Sequence, residues 1–596
     1  MKKGTILSRF VILLLLFSLA LVACGGQAEE PAPTEEMAEP AEEEVAEPTE
    51  EAVEPTEEEM AEPAEEEATE PAEEEATEPA EEEAVEPAEE EMAEKDRIVI
   101  AYDSDIDHIE PMQFRSLGGY DATANLYEPL ITQELVPNDN GELIGQRMME
   151  GAVAESFEVS EDGTVFTFNL REDAQFADGT PITAHDYKYT FDRAMLGPGY
   201  IGLLTPFMAL ESPDDVVVVD DYTLQVTTSR PAALTETIIA FQVFGAISQA
   251  TAEANATEED PWADEWFHTN SNSSGPYTIT EWNPGVEYLF EPNPNYWRGQ
   301  DFFRNGGAVF RVVPDASTRI QLLKAGDVDV ALGIPFSDLA DLDADPNVSV
   351  HAIPTTRVYH LGMNLNQPPF DDQRVRQAIS YAIPYEAIVE NVIYGYGLQP
   401  TSPIPEGMET HTDEFFVYGG QDLDTARALL EDAGYPDGFE VELTVPQEDQ
   451  TRVDAAVWVQ SGLAELGIDV NINAVPTAEF SELINSHELP FFIQEWYSWG
   501  NDPFYQLTWN FKCDSFPNFV NYCNEELDEI IEAGTFSRDA AEREELGRRA
   551  QEILMEDAPW ALLYQPSWIV ATQSDVDGIA LFDDLTLRYA YLGKSE

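Results

Sequence analysis

Positive charge is what this chain has least of. It carries 28 lysines and arginines against 118 aspartates and glutamates, a formal net charge of −90. That excludes nucleic acid as a partner, because neutralising phosphates needs a basic surface. Histidine is sparse too: the seven, at 108, 185, 268, 351, 360, 411 and 487, show no metal-ligand spacing. Asp341-x-Asp343-x-Asp345 opens like a calcium loop. Pro346 stands where glycine is needed, however, and Ala352 where the bidentate glutamate belongs, so it reads as a solvated acidic loop. Gly-x-Ser-x-Gly, His-Glu-x-x-His and Gly-x-x-x-x-Gly-Lys are missing, so no metal, no cofactor and no enzymatic activity is expected. Carboxylates are abundant enough to keep an extracellular glycosidase as the enzyme alternative. Nor is there the run of about 20 apolar residues that spans a bilayer.

What is present begins at the N-terminus. Lys2, Lys3 and Arg9 precede an apolar stretch, Phe10 to Ala20, and then Leu21-Val22-Ala23-Cys24. A basic start, a short apolar core and small residues before a cut mark an export signal. The cysteine after them resembles a bacterial lipoprotein signal, with 1–23 as signal peptide and Cys24 as the lipidated new N-terminus. A plain signal peptide or an anchor helix is the alternative. The expected location is the extracytoplasmic face of a membrane, at a cell surface or in a periplasm, held by the lipid anchor.

Residues 25–94 hold 32 glutamates and no lysine or arginine, with prolines at 40, 48, 55, 63, 71, 79 and 87. An eight-residue repeat is too short to build stacked units. Proline interrupts helix after about two turns, and charge repulsion with little apolar surface opposes collapse. The segment 24–94 is therefore expected to be a disordered acidic stalk, about 45 Å across even as a random coil.

The working part is residues 95–596, with 25 basic and 86 acidic residues, a net charge of −61. The acids are scattered, which suits a generally acidic, soluble surface better than a cation-binding site. Only five lysines fall in this part. Cys513 and Cys523 lie ten apart in a chain read as exported, where disulfides persist, and are expected to pair; two free thiols are the alternative.

Alternating apolar runs around Glu161-Asp162-Gly163-Thr164 predict a hairpin, and Val216 to Val219 with Tyr222 to Val226 predict another. Asp371-Asp372 offers an N-cap to a helix carrying Val375, Ala378, Ile379 and Ala382. Helix Leu423 to Ala433 ends at Gly434 before strand Phe439 to Val445; helix Val453 to Leu466 ends at Gly467 before strand Ile468 to Val475. Helix and strand in alternation predict an α/β body, and 500 residues exceed one core.

Longer motifs carry a family resemblance. They include Ala154-Glu155-Ser156-Phe157 running into Glu161-Asp162-Gly163-Thr164, and Phe176-Ala177-Asp178-Gly179-Thr180-Pro181. Ser274-Gly275-Pro276-Tyr277, Asn293-Pro294-Asn295-Tyr296-Trp297 and Leu323-Lys324-Ala325-Gly326-Asp327 follow, then Pro368-Pro369-Phe370-Asp371 and Ala433-Gly434-Tyr435-Pro436. In order, over nearly all of 97–590, these resemble family 5 extracellular solute-binding proteins, the peptide, nickel and oligosaccharide receptors of ABC importers. The resemblance implies a two-lobed periplasmic-binding-protein fold with an extra subdomain and a hinge. Lobe I would comprise about 97–125, 230–360 and 555–596, the subdomain about 126–229 and lobe II about 361–554. The hinge crossings would lie near Tyr359 to Asn364 and near residue 554. It further implies a monomer whose partners are a small solute, peptide or oligosaccharide, and ABC permease subunits.

Six large rings, Trp496, Tyr497, Trp499, Phe504, Tyr505 and Trp509, are broken by Gly500-Asn501-Asp502-Pro503, as suits a loop lining a cleft. Peptide-binding relatives read Trp-x-Ala-Asp-Tyr-x-Asp-Pro here. Aligning Asp502-Pro503 with the closing pair puts Trp496 on the family tryptophan and Trp499 where an aspartate grips the peptide amine. That departure raises an oligosaccharide ligand beside the peptide. Trp496, Tyr497, Trp499, Asp502, Tyr120 and Asn364 are the expected ligand-site residues, Asn364 chiefly by securing the hinge backbone; packing is the competing role for each. A stalked surface-interaction protein is the structural alternative.

Overall fold

The computed structural model describes residues 96–595. The expected signal peptide, the expected lipidation at Cys24 and the expected acidic stalk fall outside the described residues. Among the described residues no helix is long and apolar enough to cross a membrane.

The abundant acids find local work at helix starts. Asp315, Asp372, Asp422, Asp449, Asp502 and Asp539 each accept a backbone N–H of the first turn of the helix they precede. A carboxylate there satisfies an orphan donor and meets the positive end of the helix dipole. The predicted hairpins form, pairing Phe157 with Phe168 and Val218 with Leu224, and stand side by side in one four-stranded sheet. The helices foreseen around 423–433 and 453–466 run Leu423–Ala433 and Gln450–Ala464.

Two larger sheets organise the body. One has seven strands in the order Val348–Ile353, Trp568–Gln573, Val330–Ala331, Ile98–Tyr102, Ala308–Val312, Glu287–Pro292 and Tyr277–Asn283. The other has six: Gly397–Leu398, Trp560–Pro566, Val358–Met363, Phe491–Trp496, Glu440–Pro446 and Asp469–Val475. Each sheet has its own large apolar core, and the four-stranded sheet packs into the core of the first. The result is a two-lobed, mixed α/β architecture.

The places where the chain passes between sheets differ from the sequence expectation. Val358–Met363 is buried throughout and pairs with Phe491–Trp496 and Trp560–Pro566, so residues 358–363 and 560–566 belong to the second sheet. The crossings fall at 354–357 and at Ser567, between strands of the two sheets. Short motif spacing marks strands but not which sheet each joins, and this moves the boundary by a few residues at 360 and about a dozen at 555.

Candidate functional site

Both crossings open onto a cavity of about 250 Å³. The first lobe contributes Tyr102 and Asp103 at the end of strand Ile98–Tyr102, Tyr120 and Asp121 from helix Leu117–Leu126, and Asp584 near the C-terminus. Arg357 and Ser567 come from the crossings themselves, beside Trp568; the second lobe adds Tyr359 and Tyr497. Such a place, where strands of two sheets end and the chain changes direction, is where α/β proteins commonly hold ligands.

Charge on this wall is compensated. Arg357 lies 3.4 Å from Glu495 and 4.8 Å above the Tyr497 ring. Burial works against the Arg357 charge, and Glu495 overrides it. Burial alone would raise Glu495, but Arg357 and Arg452 hold its carboxyl below the usual range. Asp103 pairs with Arg319 at 3.4 Å and Asp584 with Arg588 at 2.6 Å. Asp121 accepts from the Leu587 N–H at 2.7 Å and from the Tyr589 hydroxyl. Burial nevertheless lifts its carboxyl to about 6. The remaining surface is largely ring: burial pushes the Tyr102 and Tyr359 phenols far up, so they remain neutral.

The aromatic segment divides its work. Tyr497 faces the cavity. Trp499, carried by the second lobe, stacks on Tyr120 of the first at 5.2 Å and 21° and lies within 6.3 Å of the Phe114, Tyr200 and Phe241 rings. Tyr505 and Trp509 pack on Phe207 at 5.1 and 5.3 Å, and Phe504 is fully buried in the second core. Trp496 ends its strand half-buried, its indole N–H 3.4 Å from the Ser498 hydroxyl, and does not line the cavity.

Two expected ligand residues are engaged elsewhere. Asp502 is fully buried, accepts from the N–H groups of Phe504 and Tyr505, and pairs with Arg543 and with Arg147. With Pro503 in the first turn it is a helix start, not a cavity group. The buried Asn364 amide donates to the His487 and Leu489 carbonyls at 3.0 Å. It stands at the end of strand Val358–Met363 remote from the crossing, so it secures the second lobe rather than the hinge. Cys513 and Cys523 form a disulfide.

Arg357, Asp103, Asp584 and Trp568 were not singled out from sequence. The available signal was the lone arginine in Thr355-Thr356-Arg357, directly before a wholly buried strand.

Comparison with known proteins is consistent over the same region. Residues 149–518 match the model described as bacterial extracellular solute-binding proteins, family 5 middle. The chain is 26% identical over 489 residues to the probable D,D-dipeptide-binding periplasmic protein DdpA of Escherichia coli K12, covering 81% of this chain and 91% of that protein. It is 26% identical to the glutathione-binding protein GsiB of Escherichia coli O1:K1, over 79% and 91% of the two chains. Among solved structures, the ABC transporter-associated periplasmic binding protein DppA of Helicobacter pylori, in complex with peptide STSA, superposes with a TM-score of 0.73. Its sequence identity is 23%, over 86% of this chain and all of that one. NikZ of Campylobacter jejuni with Ni(L-His) gives a TM-score of 0.70 at 21% identity, over 84% of this chain and all of that one.

Proposed function

Because the chain belongs to the bacterial extracellular solute-binding proteins of family 5, we propose that it is the receptor of an ABC importer, closing its two lobes on a small solute and presenting that closed form to a membrane permease. Members of this family are transport receptors rather than enzymes. The observation that carries the reading is the position of the cavity: its wall includes Arg357 and Ser567 from both crossings and residues of both lobes, so a bound solute touches everything that moves on closure. The proposal includes lipidation at Cys24, a spacing role for 24–94, and a monomer.

The relatives' names point to peptides, and a di- or oligopeptide is the ligand placed first, with Tyr120 and Tyr497 as cavity contacts and Trp499 stacked on Tyr120 beside them. An oligosaccharide is the second reading. It is favoured by a wall whose charges, Asp121 apart, are already ion-paired and by Trp499 at the position of the amine-gripping aspartate. Charged peptide termini need partners when desolvated, whereas sugars need ring faces and neutral hydrogen-bonding groups.

Thermal unfolding of the purified chain against short peptides and oligosaccharides tests this. A ligand at 100 times its dissociation constant adds about 2.7 kcal/mol to stability, a readable rise in midpoint. A rise with peptides supports the first reading, and a rise with sugars alone the second. No rise with either would remove the receptor role from this cavity.

A further inference from the structure

Behind the Tyr120–Trp499 stack lies a second, smaller chamber of about 70 Å³. Asp584 borders both spaces. Apart from Trp499, the side chains around it belong to the first lobe, so the chamber is complete only when the second lobe brings Trp499 into place.

Part of its polar lining is unengaged, while Asn125, Glu128, Gln133, Asp584 and Arg588 bond to neighbours in the fold. Gln242 is 3% exposed, and neither its amide nitrogen nor its amide oxygen has a hydrogen-bond partner. The buried Tyr127 hydroxyl on the same wall is likewise without one, as is that of Tyr120, which lines the main cavity rather than this chamber. Tyr120 lies near the Gln242 amide, yet the two do not meet hydrogen-bond geometry. A buried carboxamide with both ends unengaged is unfavourable, and a guest that bonded both ends would remove that cost. The charges facing the chamber balance: Glu128 against Arg298, and Asp584 against Arg588, the latter already paired. A net charge on the guest would therefore be uncompensated.

We propose that this chamber is a subsite of the same binding site, taking a small uncharged group that both donates and accepts hydrogen bonds, carried on the end of the solute that passes Trp499. It rests on the receptor reading. Gln242 would bond the group at both of its amide atoms, the matching chemistry being a carboxamide or a pair of sugar hydroxyls. At roughly 30 Å³ per water in the liquid, the volume suits a few heavy atoms and not a whole residue.

The test compares the wild-type chain with Gln242→Leu and Gln242→Glu, by thermal shift and calorimetry, using alanyl-glutamine, alanyl-glutamate, alanyl-methionine and cellobiose. The expected result is a preference of at least tenfold for alanyl-glutamine over alanyl-glutamate and alanyl-methionine, or binding of cellobiose. Gln242→Leu should abolish the preference or the cellobiose binding while leaving alanyl-methionine unchanged. Alanyl-glutamine against cellobiose decides between amide and sugar. Equal affinity of wild type and Gln242→Leu for every probe would overturn the chamber and leave the receptor reading standing. If no probe shifts the wild type, the receptor reading of the cavity is what falls, and the ligand-free melt still decides the chamber. Gln242→Leu should melt at or above the wild-type temperature if the amide faces a guest. A lower melt would mean the amide serves the fold, and would overturn the proposal.

Discussion

At the scale of single residues, the site is held by neutral rings over compensated charge. Trp499 reaches across from one lobe into the rings of the other, with Tyr120 as its stacking partner. Trp499→Ala is expected to weaken ligand binding at least tenfold in calorimetry while costing little in the unfolding midpoint of the ligand-free chain. Trp496→Ala, removed from the cavity wall, should leave affinity within about twofold. Burial also raises two carboxyls near the C-terminal segment, Asp121 and Asp583, each to about 6. Each binds its proton more tightly in the folded chain than in the unfolded one. Their contribution to stability is therefore complete below about pH 4 and is lost as pH rises through 6. Unfolding free energy measured between pH 4 and 7 should fall less steeply in Asp583→Asn than in wild type.

At the scale of elements, close backbone contact fixes how the parallel strands Glu440–Pro446 and Asp469–Val475 begin. Gly438, at φ +76°, faces the carbonyl of Gly467, itself at φ +78°; a Cβ on Gly438 would sit 2.1 Å from that oxygen. Gly438→Ala should cost at least about 1–3 kcal/mol, read from the urea midpoint. The same region shows what sequence reveals. Gly434, Gly467 and the alternating helix and strand patterns located these elements to within a few residues, because caps and periodicity are local. Arg357 and Asp584 were not legible as site residues. Their proximity depends on which sheet receives each strand, and no local pattern encodes that. Asp502 misled for the opposite reason: a carboxylate before proline fits a ligand anchor and a helix start equally, and only the buried Arg543 decides between them.

At the scale of the whole molecule, ion pairs run between the two lobes. Arg147, on strand Leu143–Gly151, meets Glu409 at 2.5 Å and Asp502 at 3.5 Å; Arg230 meets Glu532 at 3.0 Å and Arg538 meets Glu236 at 2.5 Å. These side chains, Asp502 excepted, are partly exposed, so each pair is worth about 0.2–1 kcal/mol and is screened by salt. Arg147→Ala should weaken solute affinity by up to about fivefold in 50 mM salt, and the difference should shrink in 1 M salt.

The seven-stranded sheet has a further consequence, in time rather than space. Trp568–Gln573, nearly the last strand to be synthesised, lies between Val348–Ile353 and Val330–Ala331, inside the sheet rather than at its edge. Until some 570 residues have emerged, the first lobe is divided at that gap, and no early segment can reach its final pairing there. Strand Val348–Ile353 therefore joins the sheet only through a partner made about 200 residues later, so the last stretch of the chain decides when the first lobe is whole.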